Sequence, residues 1–441
     1  MPFQNLPHFH PPAAPVPELD PDRQREFALD VLARLRESGY EAYWAGGCVR
    51  DCLLDRRPKD YDVATNATPA EIRQVFAGRP TLEIGAAFGV VAVVGPKRAG
   101  AVEVATFRHD EKYSDGRRPD TVEFTSAEED AKRRDFTING LFYDPLEAEP
   151  DRRVIDFVGG IADLRAKVVR AIGDPRDRFG EDKLRLLRAV RMAATFEFAL
   201  EQATRAAIAE FAPTVVAVSP ERIAQELRLM LVDAHRARAA QLLRETGLLA
   251  AVFPEAAGES AGDEPWRRTL AMFERLNEPS FPLALATLLS AAAPADLRAG
   301  RWTESICRRW RLSNKETERT RWLVEHRASL VEACSMPWPR LQRLLIREGI
   351  DELIALHEAE ALACGGDIEH VLKCRELLRL PVHELNPPPL VTGDDLIRHG
   401  IASGKEFKPL LEKLRDAQLD RRIADKQAAL ALADRLLADG K

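Results

Sequence analysis

Asp60 and Asp62 flank a single tyrosine in a run, residues 59–63, that reads as a β-strand. Period-2 alternation points both carboxylates to one face and Tyr61 and Val63 to the other. Two like charges on one face cost free energy unless a cation lies between them. Oxygen ligands of this kind suit Mg²⁺, which keeps its other positions for water and substrate phosphates. Carboxylates that bridge two such ions serve phosphoryl or nucleotidyl transfer. A lone Asp-x-Asp is common on surfaces, so its neighbours decide the reading. Just upstream, Gly46-Gly47 joins a short strand, residues 43–45, to a helical pattern over residues 49–54. A strand–Gly-Gly–helix junction presents backbone N–H groups that favour phosphate. Arg50 on the first turn can pair with the same phosphates. The plainer alternative is a tight turn with a surface ion pair between Arg50 and Asp51.

Glu103 is a lone carboxylate in the strand-like run 101–107. It is read either as a rim residue or as a third carboxylate, a metal ligand or proton acceptor from an attacking hydroxyl. Arg133-Arg134-Asp135-Phe136-Thr137-Ile138-Asn139 is expected on a helix. There Asp135 can accept hydrogen bonds from ribose hydroxyls and Arg134 can meet phosphate. An exposed charged helix face is the alternative.

Residues 178–191 are expected to form one strong helix carrying Asp182, Arg185 and Arg188 at steps of three along one side. A solvated basic stripe competes with a sharper reading. Cytosine and adenine both present an amino donor beside a ring-nitrogen acceptor, and uracil and guanine present the reverse. One Asp acceptor beside one Arg donor accepts C and A and leaves U and G with clashing polar groups.

These groups need a scaffold. The chain has 441 residues, too many for one ordinary core, and its 45% hydrophobic and 30% charged content describes a globular protein. Lys and Arg total 64 against 70 Asp and Glu, a net charge of −6, so a nucleic-acid partner would need a local basic patch. Of six scattered cysteines only Cys48 and Cys52 are close and no histidine sits near them, which argues against a zinc site, and free thiols fit a reducing cytoplasm. No apolar run approaches a membrane span and no secretory leader is seen. Residues 1–19 are Pro-rich and read as a flexible tail. Asp20 and Pro21 then open a helix that ends at Gly39, and Thr68 with Glu71 forms a capping box. Strands are expected at 82–84, 90–94 and 101–107. Residues 109–129 are expected to be a long loop. After residue 164 helical stripes dominate.

The ordered set GG-x-V-R-D, D-Y-D, R-R-D-F-T-I-N, E-D-x-x-R and S-P-E-R-I closely resembles the class II tRNA nucleotidyltransferase and bacterial poly(A) polymerase family. The match runs over residues 24–232, with a weaker one over 391–437. It implies an α+β fold: a polymerase-β-like head with a mixed β-sheet (20–165), then an all-α neck (166–235), body (236–385) and tail (386–441). It implies that Asp60 and Asp62 hold two Mg²⁺ ions with Glu103 as the third carboxylate. Gly46, Gly47 and Arg50 would meet the triphosphate, and Arg134 and Asp135 the phosphate and ribose. Asp182 and Arg185 would read the base with Arg188 and Arg191 in support. Residues 113–119 would be the family's flexible loop. The implied partners are the tRNA 3′ end, CTP and ATP, with neither DNA nor a membrane.

One departure from some relatives is legible. Trp266-Arg267-Arg268-Thr269 and Leu288-Leu289-Ser290-Ala291 stand where a metal phosphohydrolase domain would have its ligands, so no such activity is expected. The run Arg308, Arg309, Arg311, Arg319 and Arg321 is read either as a tRNA backbone contact or as a solvated helix face. CCA addition is the favoured activity. CC-only addition, A-only addition, poly(A) synthesis and a catalytically silent RNA-binding protein are the rivals.

Overall fold

The computed structural model describes residues 19–85, 89–111, 121–257, 262–296, 298–402, 404 and 406–438. The expected tail, 1–19, lies outside them save for Leu19, and so does the loop at 113–119. The chain divides into two compact units, residues 1–218 with 246–248 and residues 219–245 with 249–441. Residues 166–218, expected to belong to a separate neck, cluster with the head.

The first unit opens with α1 (Pro21–Glu37), β1 (Ala42–Ala45), α2 (Gly47–Leu53), β2 (Asp62–Thr65), α3 (Pro69–Val75) and strands β3 (Thr81–Gly85), β4 (Val90–Val94) and β5 (Ala101–Thr106). It continues through β6 (Arg108–Glu111), β7 (Thr121–Phe124), α4 (Ala127–Lys132), β8 (Leu141–Tyr143), β9 (Val154–Asp156), α5 (Gly160–Ala166) and β10 (Val168–Val169). It closes with α6 (Pro175–Glu181), α7 (Leu184–Thr195), β11 (Ala199–Leu200) and α8 (Gln202–Phe211). The Asp20 carboxylate accepts the Asp22 and Arg23 N–H groups, and Thr68 and Glu71 complete a capping box.

Seven strands form one mixed sheet in the order β3-β4-β5-β2-β1-β8-β9. β2 and β5 run parallel, and the other neighbours run antiparallel. Register partners place Trp44, Val63, Val104, Val91, Val102 and Val93 on one face, which packs against α1 and α3. Ala45, Asp62 and Glu103 lie on the opposite face. Burying one such valine is worth about 1.5–3 kcal/mol. A one-residue slip of β2 would expose Val63 and bury Asp62, so the hydrophobic face fixes where the carboxylate points.

Three expectations need correction. The strand carrying the carboxylates begins at Asp62, not residue 59, although the alternation holds: Tyr61 is buried and packs on Trp44 at 4.9 Å. Residues 109–129 are not simply a loop, because β6 and β7 pair as an antiparallel ribbon and α4 follows. The helix expected over 178–191 is two helices, broken at Asp182, whose backbone is extended (φ −138°, ψ 106°). The Asp182 carboxylate accepts the Leu184 N–H at 3.0 Å, a local bond that competes with helix continuation.

The second unit is helical, with no strand among its described residues. Val391, Leu396, Leu410, Leu414 and Ala433 are buried together in its last stretch. Among the described residues no helix is long and apolar enough to cross a membrane.

Candidate active site

The site grows from the open face of the sheet. Asp62 is the register partner of Glu103 across the parallel β2–β5 pair, so their side chains stand side by side. Asp60, one alternation step before Asp62, is exposed. Asp62 is exposed at its outer edge as Asp60 is, yet its carboxyl is pushed up to about 7, first by desolvation from the surrounding protein and then by the charges of Asp60 and Glu103. Arg134 pulls in the other direction and does not offset them. The sheet therefore gathers negative charge that protein cations leave uncompensated. Among the described residues no three Asp, Glu, His or Cys side chains form a ready-made metal cage. An oxygen site that takes part of its ligands from phosphates and water fits such an open donor set.

Gly46 stands next to this face. Its φ of 75° lies in the left-handed region, and an added Cβ would meet Arg134 Nη1 at 3.0 Å. Glycine thus lets the β1–α2 turn close against the Arg134 guanidinium. Arg134 is held by buried Asp130, which accepts from its Nη2 at 2.9 Å, and Arg133 binds the other oxygen at 2.6 Å. Burial opposes the Asp130 charge, but the two guanidiniums hold its carboxyl below the usual range. Asp130, on α4, was not foreseen, although it lies three and four residues before the two arginines just past that helix's end, the spacing of helical ion pairs.

Arg134 and Asp135 do not lie on a helix as expected. Arg133 caps α4, Phe136 bridges to Ala171, and a 3-10 turn, Thr137–Asn139, follows. Asp135 is buried and accepts the Phe136 N–H at 2.8 Å. Its second oxygen takes Arg188 Nε and Nη2 at 2.9 and 2.6 Å. Burial works against this charge, and Arg188 and Asn139 more than offset it, holding the carboxyl far below its ordinary value.

Arg50 is 8% exposed and turned inward. Its Nε and Nη2 donate to Asp51 at 2.9 and 2.7 Å, its Nη1 donates to Asn139 Oδ1 at 2.7 Å, and it lies over the Phe196 ring at 4.4 Å. The pair with Asp51 is therefore present, but buried instead of superficial.

On α7, Arg185 is also buried, pairing with Glu181 at 2.6 Å and donating to the Arg178 and Arg133 carbonyls. The structure brings Asp135, Arg185 and Arg188 into one electrostatic group. Asp182 sits at the helix break, three residues before Arg185. Arg191 is near enough to Arg50 to act on its charge.

The remaining candidates fall elsewhere. In the second unit Arg309 is bidentate to Glu255 at 2.7 and 2.8 Å, Arg311 meets Glu221 at 2.6 Å, and Arg308 meets Glu304. Arg319 meets Glu348 and Glu352. Trp266 is buried with its Nε1 donating to Gln241 at 2.8 Å, and the Ser290 hydroxyl donates to the Ala286 carbonyl. A cavity of about 420 Å³ lined by Leu390, Val391, Leu411 and Leu414 also lies in the second unit and bears none of the carboxylates.

The chain is 33% identical over 402 residues to the CCA-adding enzyme of Geobacillus kaustophilus, covering 89% of this chain and 91% of that one. The chain belongs to the CCA-adding enzyme family. It is a nucleotidyltransferase. The CCA-adding enzyme of Lacticaseibacillus paracasei is 34% identical over 388 residues, covering 88% and 90%. The family described as Poly A polymerase head domain matches residues 42–170, and that described as probable RNA and SrmB-binding site of polymerase A matches residues 197–259. Among solved structures, the Bacillus stearothermophilus CCA-adding enzyme in complex with CTP is similar with a TM-score of 0.73 at 28% identity, covering 95% of this chain and 99% of that one. The Thermotoga maritima CCA-adding enzyme shares the fold with a TM-score of 0.66 at 22% identity, covering 96% and 97%. As in other CCA-adding enzymes, the fold is a nucleotidyltransferase head followed by helices.

Proposed function

We propose that this chain adds CCA to tRNA 3′ ends, using CTP twice and ATP once without a nucleic-acid template. The observation that carries the proposal is the Asp62–Glu103 pair beside Asp60, set in a chain that resembles CCA-adding enzymes over nine-tenths of its length. We assign Mg²⁺ to Asp60 and Asp62, with Glu103 alongside. Bound there, the ion would neutralise developing charge on the attacking and leaving oxygens.

The protein's own groups do the rest. Gly46 and Gly47 keep the turn low enough for a triphosphate to approach, and Arg134 offers its charge beside them. Glu103, beside Asp62, would accept the proton of the RNA 3′-hydroxyl as it attacks the α-phosphate. Asp135 holds Arg188, which would flank the nucleoside. Asp182 and Arg185 read the base edge, taking C and A and leaving U and G unpaired. Arg50, which meets Asp51 and Asn139 within the head, would support the turn and lend its charge to the triphosphate, and Arg191 would add positive charge behind it. Free thiols at all six cysteines suit a cytoplasmic setting.

The test offers three tRNA transcripts, ending at the discriminator base, at C and at CC, with CTP, ATP or both. CCA addition predicts completion of each transcript to CCA. Extension by A alone, by CC alone or by a long A tract would overturn the assignment.

A further inference from the structure

Asn139 joins two halves of the site that are far apart in sequence. Its side chain is buried, 6% exposed, and both ends of its carboxamide are used. Oδ1 accepts from Arg50 Nη1 at 2.7 Å, and Nδ2 donates to Asp135 Oδ1 at 2.9 Å. Its backbone carbonyl accepts from Arg134 Nη1 at 3.4 Å. Asn139 thus touches the α2 arginine, the arginine beside Gly46, and the carboxylate that holds Arg188.

The orientation of the amide follows from these partners. Arg50 can only donate and ionised Asp135 can only accept, so the oxygen must face Arg50 and the nitrogen Asp135. Asp135 Oδ1 then carries the Phe136 N–H and the Asn139 amide, and Oδ2 is left to Arg188. One oxygen is fixed to the head and the other to α7. Rotation of the Asp135 carboxylate would break both sets together.

We propose that Asn139 is a positioning residue for nucleotide choice: by locking Asp135, it fixes Arg188 and the face of α7 that reads the base. The proposal rests on the nucleotidyl-transfer reading above. Asn139 does not touch the base, so its effect passes through Asp135 and Arg188. A merely structural asparagine would influence all nucleotides alike, because the protein would only become less well folded. A positioning asparagine influences the ratio between them.

The experiment measures kcat/KM for CTP, ATP, UTP and GTP on tRNA ending at the discriminator base and at CC, in wild type, Asn139→Asp and Asn139→Leu. Asn139→Asp keeps the acceptor for Arg50 and replaces the donor facing Asp135 with an oxygen. Asn139→Leu removes both bonds. Thermal unfolding is recorded for each protein, and where Asn139→Leu does not fold, Asn139→Asp decides. The expected result is that preference for CTP and ATP over UTP and GTP falls at least ~10-fold in folded Asn139→Asp, because a polar reader held in the wrong place loses its rejection of the wrong edge. An unchanged ratio in that folded variant, with all four substrates slowed equally, overturns the inference. Failure of the wild type to prefer CTP and ATP overturns the parent reading instead.

Discussion

Asp62 on β2 and Glu103 on β5 are register partners, two carboxylates brought side by side by a parallel strand pair. Desolvation first, then the charges of Asp60 and Glu103, push the Asp62 carboxyl up to about 7. An ordinary unfolded Asp titrates near 3.9. Between those values the folded protein holds a proton that the unfolded chain has lost, so stability falls as pH rises through this window. Asp62→Asn removes that penalty. Metal-free Asp62→Asn should melt above the wild type at pH 8, and the gap should shrink as pH falls toward 4. Mg²⁺ should raise the melting temperature of the wild type more than that of the variant. A variant that melts below wild type at pH 8 would contradict the charge crowding.

Loss of the same carboxylates should remove chemistry without removing RNA binding. Asp60→Ala is expected to lower incorporation at least ~10³-fold, since ion-mediated charge stabilisation is worth several kcal/mol. tRNA affinity measured by filter binding should stay within about twofold. Full activity in Asp60→Ala would refute its assignment as a metal ligand.

Arg188 and Asp135 form a partly buried pair at 2.6 Å. Arg188→Ala leaves the Asp135 carboxylate buried and half-satisfied. The expected loss is about 2–3 kcal/mol at pH 7, less than for a fully enclosed pair because Arg188 is partly exposed. The folded carboxyl lies below its unfolded value, so the contribution is complete above the unfolded pKa and is lost as pH falls through the folded one. Urea unfolding at pH 7 and pH 3 should therefore show a smaller difference between variant and wild type in acid.

Gly46→Ala meets two obstacles, a positive φ and the Arg134 guanidinium at 3.0 Å. The backbone part should cost about 1–2 kcal/mol. Displacement of Arg134 should also raise KM for CTP and ATP. An unaltered KM together with a lowered melting temperature would mean that Arg134 does not serve the nucleotide.

The arginines at 308, 309 and 311 are engaged with Glu304, Glu255 and Glu221. Arg309→Glu should therefore cost stability, about 0.5–1 kcal/mol for a partly exposed pair, with little change in the salt dependence of tRNA binding. A clearly flatter salt slope would restore Arg309 as a phosphate contact.

Much of this site was readable because short-range chemistry announces itself. Asp60-Tyr61-Asp62 alternates, Gly46-Gly47 breaks a strand, and Thr68 with Glu71 caps a helix. The places that misled share a different cause. At Asp182 a side chain bonds its own backbone and ends a helix that apolar periodicity would have continued through. Around residues 134–136, a long-range bridge from Phe136 to Ala171 overrides helical preference. The inward turn of Arg50 is likewise set at long range, by Asn139 and Phe196, which lie 89 and 146 residues away. Asn139 itself stood inside a recognised motif without a role, because an amide with one donor and one acceptor acquires meaning only from what lies on each side of it.

The parallel pairing of β2 with β5 has a consequence for how the protein is born. Neither a hairpin nor any other local contact can bring Asp62 beside Glu103. The chain must first emerge through β3 and β4, whose antiparallel pairing with each other and with β5 then carries Glu103 back to β2. Such non-local closure is slow compared with local turns and helices. Until β5 has emerged and paired, Asp62 therefore has no Glu103 beside it, and the crowding of the two carboxylates waits for the hydrophobic partners that hold it. The side-by-side placing of Asp62 and Glu103 is thereby tied to assembly of the β3, β4 and β5 part of the sheet.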